Sequence, residues 1–188
     1  GDPSAGTHAP FTERARTIGL DLRYGACPVT FWDVFGQQGH PVRTTVAEMG
    51  PLLLSRLLEL NEVQEGVLNI AFRVADEQGL AVLDLADLRA LLVAVGEARA
   101  ELSLRYGNVS TASIGAIQRR LLVLEEQGGA ALFGEPALAL SDLIAQEEDG
   151  RGRVNVLAAD RLMRAPRLYA TFLLWLMSEL FEELPEVG

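Results

Sequence analysis

The sequence contains no lysine, since all 16 of its basic side chains are arginine. This absence excludes Schiff-base chemistry and the phosphate-binding lysine of a P-loop, because both need a lysine side chain. A single cysteine, Cys27, cannot form an internal disulfide, and the two histidines, His8 and His40, have no second ligand at metal-like spacing. We therefore expect neither a metal site nor a redox or thiol-based active site.

Long apolar runs are also missing. The most apolar run, residues 168–177, is about half of the roughly 20 residues that a membrane-spanning helix needs. The first residues lack the apolar core of a signal peptide. These features predict a cytoplasmic protein without a membrane partner. The net charge of −10 repels phosphate backbones, so binding to nucleic acid would require a local basic patch.

What is present is typical of a folded domain: 188 residues, of which 49% are hydrophobic and 22% charged. We expect residues 1–188 to form a single domain. Within it, residues 1–14 are predicted to be an exposed, flexible lead-in, and residues 45–146 a helical subdomain. Residues 28–35 and 153–188 supply the core strands and the last helix.

Two segments predict strands. The run PVTFWDVF favours a strand near residues 29–34. Its apolar side chains lie at both odd and even positions, which is typical of a strand covered on both faces. The run VNVLAA predicts a second strand near residues 154–159. Because two strands alone are marginal in water, we expect that something needed to complete the sheet is missing from this chain.

Capping residues and helical periodicity predict six helices. Capping boxes begin at Thr45 and Asn61, Asp84 offers an N-cap, Ser110 or Thr111 caps another helix, and Pro166 suits a first helical turn. The predicted helices lie near residues 45–60, 62–77, 84–106, 111–127, 141–146 and 166–184, and Pro185 marks the end of the last one. That helix is apolar nearly all round, so we expect it to be packed on several sides. The fold class is mostly α with a few core strands.

The candidate site residues are two carboxylates and several arginines. Asp33 lies in the first strand and Asp160 follows the second at its carboxyl end, where ligands gather in open α/β sheets; the alternative is that both are local caps or turn residues. Arg151, Arg164 and Arg167 are candidates for an arginine that acts on the nucleotide of a neighbouring subunit. The alternative is that these arginines are solvated or paired with some of the 26 acidic residues.

Three long runs carry a family resemblance. They are PVTFWDVFGQQGHPVRTTVAEMGPLLLSRLLELNEVQEGVLNIAFRVADEQGL, YGNVSTASIGAIQRRLLVLEEQGG and GRVNVLAADRLMRAPRLYATFLLWLMSELFEELPEVG. They resemble the HerA-like bacterial proteins of the YjgR type, in the HerA/FtsK group of P-loop ATPases. The resemblance covers residues 11–188.

The resemblance implies a helical segment of a RecA-like P-loop ATPase domain. For the full-length family it implies ATP and Mg²⁺ as cofactors, a homo-oligomeric ring, and DNA as a candidate substrate. In this family the P-loop lies upstream of the region resembled here and the Walker B strand lies downstream. The sequence contains neither GxxxxGK(S/T) nor an apolar strand ending in Asp-Glu.

We therefore expect an internal fragment between the two Walker motifs. It would be non-catalytic, without a cofactor of its own, and its partner would be the remainder of the same ATPase core. The residues alone leave a second interpretation open, a self-contained helical interaction or oligomerisation module whose apolar last helix lies in a partner groove or a homo-oligomer interface.

Overall fold

A computed structural model describes residues 3–22 and 25–184. The described part is mostly helical, as predicted. Its elements in chain order are α1 (His8–Thr17), β1 (Val29–Asp33), β2 (His40–Pro41), α2 (Val46–Leu57), α3 (Glu62–Gln78), α4 (Leu85–Glu97), α5 (Arg99–Tyr106), α6 (Thr111–Glu126), α7 (Leu140–Leu143), β3 (Val154–Leu157) and α8 (Pro166–Glu183). The predicted stop at Pro185 lies outside the described residues.

The three strands form a parallel sheet in the order β2-β1-β3. Val29 of β1 lies opposite Val154 of β3, so the two strands that the sequence predicted are neighbours. The short strand β2, His40–Pro41, was not among the strands that the sequence predicted. Parallel strands are usually joined by a dozen or more residues, but here residues 34–39 suffice. Gly39 permits this, because a Cβ at that position would collide with the backbone of Phe31.

One face of the sheet is bare in the part of the chain that the structure describes. The side chains on this face are Val29, Phe31, Val154 and Val156, which are 44%, 52%, 46% and 39% exposed. On the other face, Trp32 and Leu157 pack against the core, beside Phe172 of α8. The expectation that β1 is covered on both faces is therefore wrong for these residues. Apolar side chains at alternate positions of a strand show that a face is suited to burial. They do not show whether another element covers that face.

The predicted caps account for where the central helices begin. Thr45 with Glu48, and Asn61 with Gln64, form complete capping boxes. The Asp84 carboxylate accepts hydrogen bonds from two amides at the start of α4. Ser110, rather than Thr111, caps α6. Each side chain satisfies amides that have no partner within the helix.

Two predicted helices are interrupted. In α2, Gly50 adopts φ 70° and ψ 165°, and Pro51 follows it; proline disfavours a helical conformation in the preceding residue. The helix predicted over 84–106 is divided at Ala98 into α4 and α5. Gly96 near that junction weakens the helix, and a Cβ there would lie 3.2 Å from Ile114 of α6.

The amino-terminal segment also differs from expectation. Residues 1–14 were expected to be an exposed, flexible lead-in, and no helix was predicted there, whereas α1 spans His8–Thr17. Only Ala15 is buried in this helix, so the remaining side chains contribute little to the core, as expected for an exposed segment.

The core lies between α2, α3, α4, α6 and α8. Its largest fully buried side chains include Phe172, Leu54, Leu68, Leu88, Leu92, Ile117, Leu121, Leu132, Leu162 and Leu168. Helix α8 is packed on one side only: Phe172 and Trp175 are buried, whereas Leu174, Met177 and Phe181 are exposed. In the described residues, no helix combines the length and the hydropathy needed to span a membrane.

Candidate functional site: an arginine-lined cleft at the carboxyl edge of the sheet

Asp33 ends β1 and organises the turn that follows it. Its side chain is 3% exposed. The carboxylate accepts hydrogen bonds from the backbone amides of Phe35 at 2.9 Å, Gln37 at 2.7 Å and Gln38 at 2.9 Å. This arrangement is the local turn role that the sequence left open as an alternative.

The surroundings of Asp33 favour its charged form. Burial acts to raise the pKa of this carboxyl, but the three backbone hydrogen bonds outweigh it, aided by the positive charge of Arg161. The pKa of Asp33 therefore lies below its ordinary value. The turn is held by an anion rather than by a neutral acid.

Asp160 lies at the same edge of the sheet, three residues beyond the end of β3. Gln38 joins the two carboxylates: its backbone amide donates to Asp33, and its side-chain Nε2 donates to Asp160 Oδ1 at 2.9 Å. The structure thus brings the two predicted acids together through one glutamine of the turn.

A cleft of about 690 Å³ opens beside this edge, between the turn after β1 and the start of α8. Three arginines line it, Arg161, Arg164 and Arg167, together with Phe35 and Gln127. The guanidinium carbon of Arg161 lies 4.2 Å from the centre of the Phe35 ring, close enough for a cation–π interaction. The cleft is therefore cationic, although the chain as a whole is acidic.

The arginines of the cleft differ in their partners. Arg167 pairs with Glu59 at 2.5 Å, and Arg120 of α6 pairs with the same carboxylate at 3.1 Å. Arg161 is stacked on Phe35. Arg164 has neither an ion pair nor a hydrogen bond through its side chain within the described residues, so it is the guanidinium most open to an added anion.

Arg151 lies elsewhere. It pairs with Asp149 at 2.7 Å and donates a hydrogen bond to the carbonyl of Ala26, which precedes β1. That contact places Arg151 at the amino end of the sheet, opposite to the cleft. The structure therefore groups Arg164 and Arg167 with Asp33 and Asp160, and separates Arg151 from them.

A comparison with protein families shows to which family the chain belongs. The family model described as helicase HerA-like, C-terminal, matches residues 3–188. The chain belongs to this family. Searches of curated proteins and of solved structures gave no match. The HerA-like resemblance predicted from the three sequence runs is thus confirmed at the level of the family.

Several residues in and around the cleft of this HerA-like chain could not be found from the sequence. Phe35 and Gln38 belong to the turn after β1, and their roles depend on the position of β3, which follows more than a hundred residues later. Glu59 and Gln127 each follow the end of a helix and carry no motif. The only available signal was the clustering of Arg161, Arg164 and Arg167 at a helix start.

The site offers arginines and hydrogen-bond donors rather than metal ligands. Across residues 3–22 and 25–184, no three His, Cys, Asp or Glu side chains are grouped so as to hold a metal ion. Guanidinium groups are well suited to bind oxyanions, because their planar donors match the oxygens of phosphate or carboxylate. The arrangement can therefore bind and orient an anion.

Proposed function

We propose that the chain is the internal, non-catalytic segment of a YjgR-type HerA-like ATPase, lying between its Walker A and Walker B motifs. The observation that carries this proposal is the bare face of the sheet. Parallel sheets occur almost only with both faces covered, yet Val29, Phe31, Val154 and Val156 are all partly open to solvent. An isolated parallel sheet of three strands is an incomplete unit.

The remainder of the same ATPase core is the partner that would complete it. Within the described residues β3 pairs with β1 alone, so its second edge is open to another strand. Strands added at this edge would extend the sheet, and helices from the same core would cover Phe31 and its neighbours. This partner explains an exposed apolar face without invoking a different protein.

ATP and Mg²⁺ would bind to those other parts of the core. Phosphoryl transfer in P-loop enzymes uses a lysine and metal ligands, and this chain has no lysine. The contribution of the segment would be an arginine directed at the nucleotide of a neighbouring subunit in a cytoplasmic ring. Arg164 is the best candidate, because Arg167 and Arg151 are already paired. DNA would be the substrate of the complete ring.

The test compares the 188-residue chain with a longer protein that includes both Walker motifs. We expect only the longer protein to hydrolyse ATP, and we expect it to bind a fluorescent ATP analogue with Mg²⁺ far more tightly than the 188-residue chain does. In it, Arg164→Gln should lower kcat by about a thousandfold, as is typical for a trans-acting arginine, with little change in analogue binding. Arg151→Gln is the matched control and should leave kcat unchanged.

Two results would contradict the proposal. The first is ATP hydrolysis by the 188-residue chain itself. The second is a longer protein in which Phe31 and Val156 stay as accessible as they are here, which hydrogen exchange and chemical footprinting of the two proteins would reveal.

One observation favours the second interpretation, an oligomerisation module. The exposed residues Leu174, Met177 and Phe181 of α8 are spaced by three and four positions, so they form a single apolar stripe. Light scattering on the 188-residue chain discriminates the two interpretations. A defined oligomer that Phe181→Ser dissociates would support the module, and a stable monomer would support the internal segment.

A further inference from the structure

The strongest unassigned feature is the contact between the arginine-lined cleft and Glu59. Arg161, Arg164 and Arg167 are spaced by three residues around the start of α8, and all three line the cleft. Like charges so close together repel one another unless anions lie between them. Two anions lie against this cluster: Asp33, whose pKa is lowered in part by the charge of Arg161, and Glu59, which pairs with Arg167.

Glu59 occupies a backbone position that suits another residue type. It follows α2 with φ 53°, and it is the only described residue other than glycine with a positive φ. The left-handed conformation after a helix favours glycine, because a Cβ is strained there. The contacts that its side chain makes are the ion pairs with Arg120 and Arg167.

We propose that the cleft binds a phosphate group between Arg164 and Arg167, and that Glu59 is the internal carboxylate from which Arg167 is released when the phosphate binds. In the free chain, Arg167 is held by Glu59 and Arg164 is open. When a phosphate enters, both guanidinium groups turn to it, and Glu59 keeps Arg120 as its partner. The inference rests on the proposed function only in taking this cleft as the place where the segment meets a phosphate.

The local backbone adds to the attraction for an anion. Helix α8 begins at the cleft with Pro166, and no side chain caps its amino terminus. The first amides of a helix have no partner within the helix and carry partial positive charge. Together with the two guanidinium groups they form a set of donors that suits an oxyanion such as phosphate.

The exchange also explains why the cleft is not saturated by the chain's own acids. The neighbouring acids Asp33 and Asp160 are engaged by the turn and by Gln38. Glu59 is the carboxylate that forms an ion pair with an arginine of the cleft, and its side chain is 40% exposed. A half-exposed carboxylate gains little from each ion pair, so a doubly charged phosphate can displace it.

Titration calorimetry of the 188-residue chain tests the proposal, with inorganic phosphate, tripolyphosphate and ATP as separate probes at low ionic strength and without Mg²⁺. We expect Arg164→Gln to weaken the affinity for each probe about tenfold or more, as removal of a charge-assisted contact does. We expect Glu59→Gln to strengthen it several-fold, because Arg167 no longer has a carboxylate to leave. Arg99→Gln, at the start of α5 and away from both the cleft and Glu59, should leave the affinity unchanged.

A second variant at Glu59 distinguishes the effect of the carboxylate charge from the effect of the backbone conformation. Glu59→Gly relieves the left-handed strain, whereas Glu59→Gln retains it, and both remove the carboxylate. The proposal requires both variants to gain affinity to a similar extent, whatever their melting temperatures. Weaker or unchanged binding in both would overturn it, as would full affinity in Arg164→Gln.

The three probes distinguish the sources of the phosphate. Binding of tripolyphosphate and ATP with similar affinities, each displaced by inorganic phosphate, supports a site that recognises the phosphate group. ATP binding that tripolyphosphate does not displace would overturn this assignment, because the site would then recognise the base. The outcome is independent of ATP hydrolysis by the longer protein, so a failure here leaves the proposed function standing, and the reverse also holds.

Discussion

The Asp33 carboxylate shows how one buried charge can stabilise a turn. Its three backbone hydrogen bonds lower its pKa against the effect of burial, so the folded state binds its proton more weakly than the unfolded chain does. By linkage, the carboxylate stabilises the fold at every pH above its unfolded pKa of about 3.9. That contribution is lost as the pH falls through the lower, folded pKa.

Replacement of this residue gives the first prediction. Asp33→Asn puts an NH₂ group where Oδ2 now accepts from Gln37 and Gln38, or leaves Phe35 without its acceptor. We expect the free energy of unfolding at pH 7 to fall by about 2 kcal/mol. Urea denaturation of both proteins from pH 3 to pH 7 measures it.

The pH dependence of this difference is the sharper measurement. The gap between the two proteins should be constant above about pH 5 and should close below about pH 4, because protonated Asp33 no longer accepts as an anion. Asp76→Asn, at an exposed acid inside α3, serves as the control for general acid effects. A gap that persists undiminished to pH 3 would show that the charge of Asp33 is irrelevant to the turn.

Sequence reasoning reached some of these residues and not others. Asp160 could be predicted to lie at the carboxyl edge of the sheet, because it follows the second predicted strand, and the turn role of Asp33 was the alternative that the sequence left open. Glu59 could not be, since its role depends on Arg120 and Arg167, which lie on two other helices. Sequence periodicity identifies neighbours within one helix or strand. These ion pairs instead join the end of α2 to α6 and α8.

At the scale of the helices and strands, the helix caps are the feature that the sequence predicted best. Asp84 accepts from the amides of Ala86 at 2.8 Å and Asp87 at 2.9 Å. Asp84→Ala should therefore lower the free energy of unfolding by about 1 kcal/mol and the melting temperature by about 2–4 °C. Calorimetric melting of both proteins measures the change.

A matched control is available on a neighbouring helix. Asp76 is an exposed acid inside α3, and Asp76→Ala removes a charge without removing a cap. We expect its melting temperature to stay within about 1 °C of the parent, since surface changes away from such features have small effects. Equal losses in the two variants would assign the effect to net charge instead of to capping.

Two predictions of secondary structure were wrong because a local feature of the sequence overrode a general rule. The capping box at Thr45 and the apolar spacing after it both favour one helix, and Gly50-Pro51 breaks it. A short link between parallel strands contradicts the usual length of such connections, and only the close approach of Gly39 to Phe31 makes it possible. Such packing has no signature in a single sequence.

At the level of the whole chain, the bare sheet face predicts that two phenylalanines differ in how much they contribute to stability. Phe31 is 52% exposed, whereas Phe172 is 1% exposed. In the 188-residue chain, Phe31→Ser should leave the melting temperature nearly unchanged and reduce the binding of a hydrophobic dye. Phe172→Ala should cost about 3–5 kcal/mol, because it leaves a cavity in the core.

The longer protein should reverse the first result. Once the remainder of the core covers the sheet, Phe31 becomes a buried side chain, so Phe31→Ser should lower the melting temperature there. A variant that is neutral in both proteins would show that nothing packs on this face.

The fold class, most helices and two of the three strands could be predicted because they depend on patterns within short segments. The coverage of the sheet could not, since the same apolar parity is present whether or not a neighbour is bound. The placement of α8 shows the same limit: an almost wholly apolar sequence predicted burial on several sides, yet Met177 and Phe181 are exposed.

Cys27 gives this arrangement a practical use. It is the single cysteine of the sequence, it is exposed, and it lies two residues before the start of β1, at the end of the sheet opposite to the arginine-lined cleft. A maleimide fluorophore would therefore label the chain at one known position without any mutagenesis. Its anisotropy and its quenching by iodide would follow, in real time, the approach of another part of the protein to the bare face.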